Sequence, residues 1–174
     1  MSNTFAETYS EKQVAKGEIL QHSGDTQIQA FFVKSGLLRS YYLDNKGKEH
    51  TFMFAPENWF IMDFSPLTNI PCAQLTIDAL ENSEIYVIPK SLVINIHKLP
   101  EEELKNQIQR FINRIGTLQT RVVMLMSATA EERYVDFLKT YPNIAQRVPQ
   151  KMIAAYLGIT PESLSRARKK ISRP

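Results

Sequence analysis

The sequence predicts an α+β protein in which an antiparallel β barrel or jelly roll is followed by a long helix and a small helical domain. The first half holds closely spaced β-branched and aromatic runs, the middle holds a heptad stripe, and the C-terminal segment holds two short helical patterns joined by a glycine. We place the domain boundaries at residues 1–98, 99–127 and 128–174. With 174 residues and 43% hydrophobic content, the chain is long enough to bury a core.

The β domain is predicted from about Gln13 to Ile88, where short apolar runs alternate with turn signals. Gly24, Gly36 and Gly47 lie in the turn signals "HSGD", "KSG" and "DNKGK". The runs read "AFFVKSGLLRSYYL", "EHTFMFA", "LTIDAL" and "EIYVIP". Because they are too numerous and too close together for crossover helices, an antiparallel barrel or jelly roll is favoured over a parallel sheet.

The long helix is predicted after "KLP", where three glutamates suit the positive end of the helix dipole. Seven apolar residues follow at alternating spacings of four and three, which places them on one seam: Leu104, Ile108, Phe111, Ile115, Leu118, Val122 and Leu125. We expect this seam to meet a second copy and form a homodimer. The alternative is packing on the chain's own β domain, a role for which the adjacent strip of Ile112, Val123 and Met126 is available.

The segment after the long helix begins with a capping box, in which Thr129 is followed by Glu132. This pattern predicts a helix through "AEERYVDFLKT" that ends at the Tyr141-Pro142 pair.

Two short helices joined by a tight turn are predicted between residues 149 and 171. Pro149 suits the start of the first helix, Gly158 permits the bend, and Thr160 with Pro161 begins the second. Ala154 falls where the two helices approach most closely. This order of helix-start and turn residues is typical of a helix-turn-helix.

Cationic residues are concentrated in the same region. Residues 1–146 hold fourteen Lys/Arg against seventeen Asp/Glu, whereas residues 147–174 hold seven against one. The second short helix carries polar side chains that could enter a DNA major groove, so we predict binding to double-stranded DNA. The predicted DNA-binding residues are Gln150, Lys151, Thr160, Glu162, Ser163, Ser165, Arg166, Arg168, Lys169 and Lys170.

The order of these regions resembles the Crp/Fnr family of bacterial transcription regulators. The resemblance covers nearly the whole chain and includes "KGEIL", "GLLRSYY", "GKEHTFMFAPENW", "ALENSEIYVI", "TAEERY" and "IAAYLGITPESLSRARKK". It implies a cyclic-nucleotide-binding-like jelly roll, a dimerisation helix and a last helix that reads DNA. It also implies that Glu162 and Arg166 read bases, with Thr160, Ser163, Ser165 and Lys169 nearer phosphates.

The chain departs from the family members that bind a cyclic nucleotide. Their Gly-Glu segment and Arg-Ser/Thr pair are missing from the equivalent stretch, "ENWFIMDFSPLTNIPCAQLT", and no Lys or Arg lies between Lys48 and Lys90. We therefore expect no binding of cyclic AMP or cyclic GMP. The apolar cluster Trp59, Phe60, Met62 and Phe64 either lines a pocket for an uncharged small-molecule effector or fills the core.

Other functional classes find less support in the sequence. Cys72 is the only cysteine, which excludes a disulfide framework and an iron–sulfur cluster held by one chain. Haem binding through His22, His50 or His97 lacks an indicated second ligand. The alternatives are a sensor or interaction protein with a degenerate helix-turn-helix, and a cupin-like metal enzyme built around Glu49-His50. We expect a protein that is not an enzyme and carries no cofactor.

The two ends of the chain give three further expectations. The first residues lack the apolar core of a signal peptide, and no apolar run is long enough to span a membrane, so a cytoplasmic protein is expected. The lead-in before the first barrel motif is short, about sixteen residues. The chain ends at Pro174, which leaves no room for a C-terminal wing.

Overall fold

The computed structural model describes residues 9–95, 97 and 99–171. They divide into two compact units, one ending at Ile94 and the other beginning at Asn95. The first unit is built of eight strands and the second mainly of helices, so the predicted α+β class is confirmed. Arg173, one of the C-terminal cations, lies outside the described residues, as do residues 1–8 of the lead-in. The domain boundaries at 98 and 127 stay a prediction.

The β unit contains two four-stranded antiparallel sheets with strand orders β1-β8-β3-β6 and β2-β7-β4-β5. The strands are β1 Ser10–Val14, β2 Ile19–Gln21, β3 Gln29–Ser35, β4 Leu38–Leu43, β5 Glu49–Ala55, β6 Phe60–Ile61, β7 Thr76–Ala79 and β8 Ser83–Pro89. A short helix, α1 (Lys90–Ile94), follows the last strand. Apart from the consecutive pair β4 and β5, neighbours in each sheet come from distant regions of the chain, which is the arrangement of a jelly roll.

The core of the β unit lies between the two sheets. Phe31 and Ile85 from one sheet and Leu38 and Ile77 from the other are all at least 98% buried. In β8, alternate residues are buried, as the period of two of a strand with one inward face predicts. Each large apolar side chain buried in this way contributes roughly 1.5–3 kcal/mol relative to leaving it exposed.

The apolar cluster after β5 packs into this core. Trp59 contacts the cluster between the sheets, while Phe60, Met62 and Phe64 belong to a second cluster with Ile28 and other residues near the end of the barrel. Met62 is 98% buried. Of the two roles predicted for the cluster, the structure supports core packing.

Three strands lack a clear signal in the sequence. The exposed strand β1 reads "SEKQV" and starts three residues before the predicted domain. The strands β2 and β6 have only three and two residues, too few to show a period of two. They form because neighbouring strands supply their hydrogen-bond partners, which a single short segment cannot reveal.

The second unit consists of α2 (Glu101–Ser127), α3 (Ala130–Thr140), α4 (Gln150–Leu157) and α5 (Pro161–Ile171). The predicted capping box at the start of α3 is formed: Thr129 Oγ1 accepts from the backbone N–H of Glu132, and Glu132 Oε2 accepts from that of Thr129. A 3-10 helix at Ile144–Gln146 joins α3 to α4.

Four aromatic rings form the centre of the helical unit. Phe137 is 99% buried and lies 5.4 Å from Tyr141, 5.5 Å from Tyr156 and 6.3 Å from Tyr134, measured between ring centroids. Such tilted and stacked pairs add to the energy of simple burial. The rings therefore hold α3, the connection after it and α4 together.

Candidate nucleic-acid interface

Helices α4 and α5 form a helix-turn-helix with the predicted cap and turn residues. Pro149 lies at the N-cap of α4, and Gly158 ends that helix with a φ of 66°, a left-handed angle that glycine adopts without steric cost. The N–H of Ser163 donates to Thr160 Oγ1 over 3.2 Å, so Thr160 caps α5. Ala154 is 99% buried, which agrees with its predicted place between the helices.

Helix α5 presents one polar and one apolar face. Leu164 and Ala167 are buried, and α5 packs on both α3 and α4. The exposed side chains include Glu162, Ser165, Arg166 and Lys169. Their spacing of three, four and seven residues from Glu162 places these four on one side of the helix. The residues predicted to contact DNA thus include a contiguous, solvent-facing stripe.

Hydrogen bonds link side chains in the first turns of α5. Arg166 Nη2 donates to Ser163 Oγ over 3.1 Å, and Thr160 Oγ1 donates to the same oxygen over 3.2 Å. A hydrogen bond from its own backbone N–H lowers the pKa of Glu162, and the Thr160 hydroxyl and the Arg166 charge act in the same direction. Glu162 is therefore an anionic acceptor at neutral pH, and Arg166 beside it is a fixed cation.

The remaining predicted contact residues lie outside the stripe. Gln150 and Lys151 are exposed in the first turn of α4. Arg168 is half-buried, and Lys170 Nζ lies 3.1 Å from Glu131 Oε2 of α3. An exposed pair of this kind is weak, so it leaves Lys170 able to exchange partners. The DNA-binding role of these residues stays a prediction.

The predicted dimer seam runs along α2. Ile108, Ile115 and Val122 are 47%, 63% and 55% exposed, and Leu125 is also exposed. The other members of the seam, Leu104, Phe111 and Leu118, are half-buried. The seam is therefore an apolar stripe on the surface of a single chain, and its role as a dimer interface stays a prediction.

The adjacent apolar strip, which the alternative assigned to packing on the chain's own β domain, is exposed along α2, and that alternative stays a prediction. Ile112, Val123 and Met126 are 55%, 54% and 81% exposed. The partly covered side of α2 instead includes Arg114 and Arg121, and burial lowers the pKa of both guanidinium groups.

Sequence reasoning also missed the contacts that Arg121 and Arg133 make with main-chain oxygens. Arg121 Nη2 donates to Tyr156 O over 2.9 Å, and Arg133 donates to three carbonyls, those of Leu125, Ala128 and Leu157. Arg133 stands in "TAEERY", a string that carried the family resemblance without an assigned role. Its position in the fourth residue of α3 gives no sign of these distant partners.

The side chains considered for metal binding have other partners. His50 Nε2 lies 2.9 Å from Asp44 Oδ2, and Glu49 Oε2 lies 2.6 Å from Arg39 Nη1. Among residues 9–95, 97 and 99–171, no three His, Cys, Asp or Glu side chains are grouped as metal ligands. No helix in the same stretches of the chain is long and apolar enough to cross a bilayer.

The fold and this surface define a class of protein: a β jelly roll joined to a helical unit that ends in a helix-turn-helix. Comparison with known families agrees, since residues 11–98 match the family model described as "Cyclic nucleotide-binding domain". The chain belongs to the Crp/Fnr family of regulators.

Named relatives and a solved structure show how far the similarity extends. The chain is 28% identical to "Regulatory protein HlyX" of Actinobacillus pleuropneumoniae, covering 89% of this chain and 68% of that protein. It is also 28% identical to "Fumarate and nitrate reduction regulatory protein" of Vibrio cholerae, covering 89% and 66%. The chain thus spans about two thirds of the length of these relatives. The structure of FixK2 from Bradyrhizobium japonicum shares the fold, with a TM-score of 0.78, 19% identity and coverage of 94% and 84%.

Proposed function

We propose that the protein is a transcription regulator that binds double-stranded DNA as a homodimer, with the α4–α5 helix-turn-helix of each subunit in a major groove. The observation that carries this proposal is the exposed stripe of Glu162, Ser165, Arg166 and Lys169 on a helix whose other face is buried by Leu164 and Ala167. A helix supported in this way can enter the groove without losing its own packing.

The chemistry of the stripe suits base reading. A guanidinium can donate two hydrogen bonds to guanine, and a carboxylate can accept one from the cytosine amino group. Arg166 and Glu162 lie in the first half of α5, the region that approaches base edges in this motif. Lys169, Gln150 and Lys151 are exposed and are suited to phosphate contacts, which position the protein and carry no sequence information.

Dimerisation follows from the exposed seam of α2. Ile108, Ile115 and Val122 each place an apolar side chain in water in the single chain. A second copy would cover them through a self-complementary contact, as in a two-fold dimer. The bound DNA would then contain two related half-sites about one helical turn apart.

The signal that the β unit responds to is proposed to be something other than a cyclic nucleotide. Asp63 is 99% buried in the stretch equivalent to the family's phosphate site, and it already accepts from three backbone N–H groups, those of Ser65, Gln74 and Leu75. A phosphate placed there would meet a carboxylate instead of free donors.

The test is selection of bound sequences from random DNA, followed by titration of the selected and a scrambled duplex at several salt concentrations. We expect specific binding at least about 10³-fold tighter than non-specific binding, a two-fold related site, and an affinity that falls steeply with salt. Wild-type protein that binds neither duplex would contradict the proposal and favour an interaction protein with a degenerate helix-turn-helix.

A further inference from the structure

Two arginines from different helices converge on the last carbonyls of α4. Arg121 of α2 donates from Nη2 to Tyr156 O over 2.9 Å, and Arg133 of α3 donates from Nη1 to Leu157 O over 3.1 Å. The last carbonyls of a helix lack partners within it and carry partial negative charge, so cations bind them favourably. These two oxygens directly precede Gly158, where the chain turns toward α5.

The same guanidinium of Arg133 also holds the end of α2. Its Nη2 donates to Leu125 O and its Nε to Ala128 O, each over 3.0 Å. All three of its nitrogens are therefore used, and their partners lie in the last turn and C-cap of α2 and the last residue of α4. One planar side chain thus joins the seam helix to the helix-turn-helix.

The junction around these arginines is closely packed. A Cβ at Gly158 would lie 3.2 Å from Leu125 Cδ2 and 3.8 Å from Arg133 Nη1. The guanidinium of Arg121 stacks on Tyr156, 3.9 Å from the ring centroid. The cavity left among these side chains is about 10 Å³, at the lower limit for a single water. The turn therefore has little room to slide along α2.

We propose that Arg133, assisted by Arg121, is a positioning residue for DNA recognition: it fixes the angle between α2 and the α4–α5 pair. This inference rests on the proposed function. In a dimer joined through α2, that angle sets the distance and rotation between the two α5 helices. Arg133 is half-buried and stands outside the stripe that faces DNA, so it acts through α4 instead of contacting a base.

The arrangement requires a guanidinium and not merely a positive charge. Its planar fork directs several donors at fixed angles, whereas a lysine ammonium is a compact point charge on a flexible stem. Arg133→Lys should therefore behave like Arg133→Ala. Lys139→Ala is the matched control, because Lys139 is an exposed cation in the last turn of the same helix.

The first measurement uses the full chain and compares its affinity for three duplexes. They carry the selected site, the same site with one base pair added between the half-sites, and a single half-site. Bivalent binding gains affinity only while the geometry lets both sites engage. We expect Arg133→Ala and Arg133→Lys to reduce the preference for the selected site over the single half-site about tenfold. Both variants should also reduce the preference for the selected site over the site with one added base pair. Their affinity for the single half-site should be unchanged.

The second measurement needs no DNA. Amide hydrogen exchange reports local opening, residue by residue. In both Arg133 variants we expect exchange to rise about tenfold at residues 157–159, with little change at Leu164 and Ala167 in α5. The Lys139→Ala protein should match the wild type in both measurements.

Two results would overturn the inference. One is an unchanged spacing preference in a folded Arg133→Lys protein. The other is exchange that rises equally throughout α3, α4 and α5, which would mean that Arg133 only stabilises the unit. If the wild type binds no DNA, the proposed function fails, and the exchange measurement alone decides whether Arg133 holds the junction.

Discussion

Asp44 holds the turn between β4 and β5. Its Oδ1 accepts from the backbone N–H groups of Lys46 and Lys48 over 2.9 and 3.0 Å, and its Oδ2 lies 2.9 Å from His50 Nε2. The hydrogen bond with His50 is the largest cause that lowers the pKa of Asp44 from 3.8 to about 2, and the two backbone donors add to it. All three partners favour the ionised carboxylate.

The lowered pKa gives stability a defined pH dependence. Because the folded pKa lies below the unfolded one, the contribution of Asp44 is present above about pH 4 and is lost as pH falls toward about 2. Asp44→Asn should therefore melt below the wild type at pH 5, and the difference should shrink as the pH is lowered. Thermal melts from pH 5 down to the lowest pH at which both proteins fold will test this. A difference independent of pH would contradict it.

Arg166 and Lys169 lie on one stripe of α5, yet they should respond differently to substitution. Arg166→Ala removes a proposed bidentate base contact and should cost roughly 1–3 kcal/mol on the selected site, with discrimination abolished at one base pair of each half-site. Lys169→Ala should weaken binding to every sequence about equally and reduce the salt slope by about one for each phosphate that the lysine neutralises.

Titrations of the selected and scrambled duplexes at several salt concentrations separate the two roles. The two variants serve as controls for each other, since each removes one positive charge from the same helix face. If Arg166→Ala weakens both duplexes equally, Arg166 does not read a base. If Lys169→Ala changes sequence preference, Lys169 is more than a phosphate contact.

Single residues were predictable from the sequence only where local spacing determines their surroundings. The exposure of Glu162 and Arg166 follows from helical periodicity between Pro161 and Ile171. The partly buried ion pair of Arg39 with Asp78 joins residues 39 positions apart, and the donors to Asp63 include residues eleven and twelve positions away. Such partners depend on strand pairing, which the sequence alone does not specify.

At the scale of elements, α2 carries the widest exposed apolar surface among the described helices. The seam of Ile108, Ile115 and Val122 is flanked by a second exposed strip that includes Val123 and Met126. Together, the seam and the strip form an apolar surface that is wider around the helix than the narrow seam of a two-stranded coiled coil. A partner surface broader than one facing helix would fit this width.

A charged substitution in the seam of α2 should dissociate the proposed dimer into monomers. Ile115 is 63% exposed in the single chain, so Ile115→Glu leaves the fold of one subunit intact. In the dimer it would bury an unpaired carboxylate in both subunits, at a cost of about 3–5 kcal/mol each. Light scattering at tens of micromolar should show a dimer for the wild type and a monomer for Ile115→Glu.

The matched control is Thr120→Glu, which adds the same charge to an exposed position about 140° around α2 from Ile115. That variant should remain a dimer. A wild-type monomer, or an Ile115→Glu protein that is still dimeric, would mean that the seam is not the interface.

Elements with strong local signals were predicted well, and those without were not. The capping box of Thr129 and Glu132 and the left-handed Gly158 gave the start of α3 and the end of α4 correctly. The heptad analysis identified the apolar seam of α2 and the adjacent strip with Ile112 and Val123, and both of these residues are exposed. Periodicity identifies an apolar face but does not say what covers it.

At the scale of the whole molecule, charge is divided along the chain. Residues 1–146 carry a net charge of −3 and residues 147–174 a net charge of +6, with His neutral. The described cations of the second segment lie in or near the helix-turn-helix, while the β unit has no Lys or Arg between Lys48 and Lys90. Attraction to polyanions is therefore concentrated in one unit of the protein.

The β unit, in contrast, should not bind a phosphate within its barrel. Asp63 already receives three backbone N–H groups, and Lys90, the next cation after Lys48, donates from Nζ to Pro66 O over 3.0 Å. A buried phosphate would need a cation or free donors to replace its hydration. We therefore predict that this domain, although it matches a cyclic-nucleotide-binding family, does not hold a cyclic nucleotide phosphate.

Cyclic AMP and cyclic GMP should therefore leave the melting temperature unchanged at millimolar concentration. Only a ligand that binds the native state stabilises it, and one present at 100 times its dissociation constant would add about 2.7 kcal/mol. For a chain of this size that is a shift of several degrees, easily seen in a thermal melt. The selected DNA duplex is the positive control, since it should raise the melting temperature of the same sample. A saturable shift with either nucleotide would contradict this prediction.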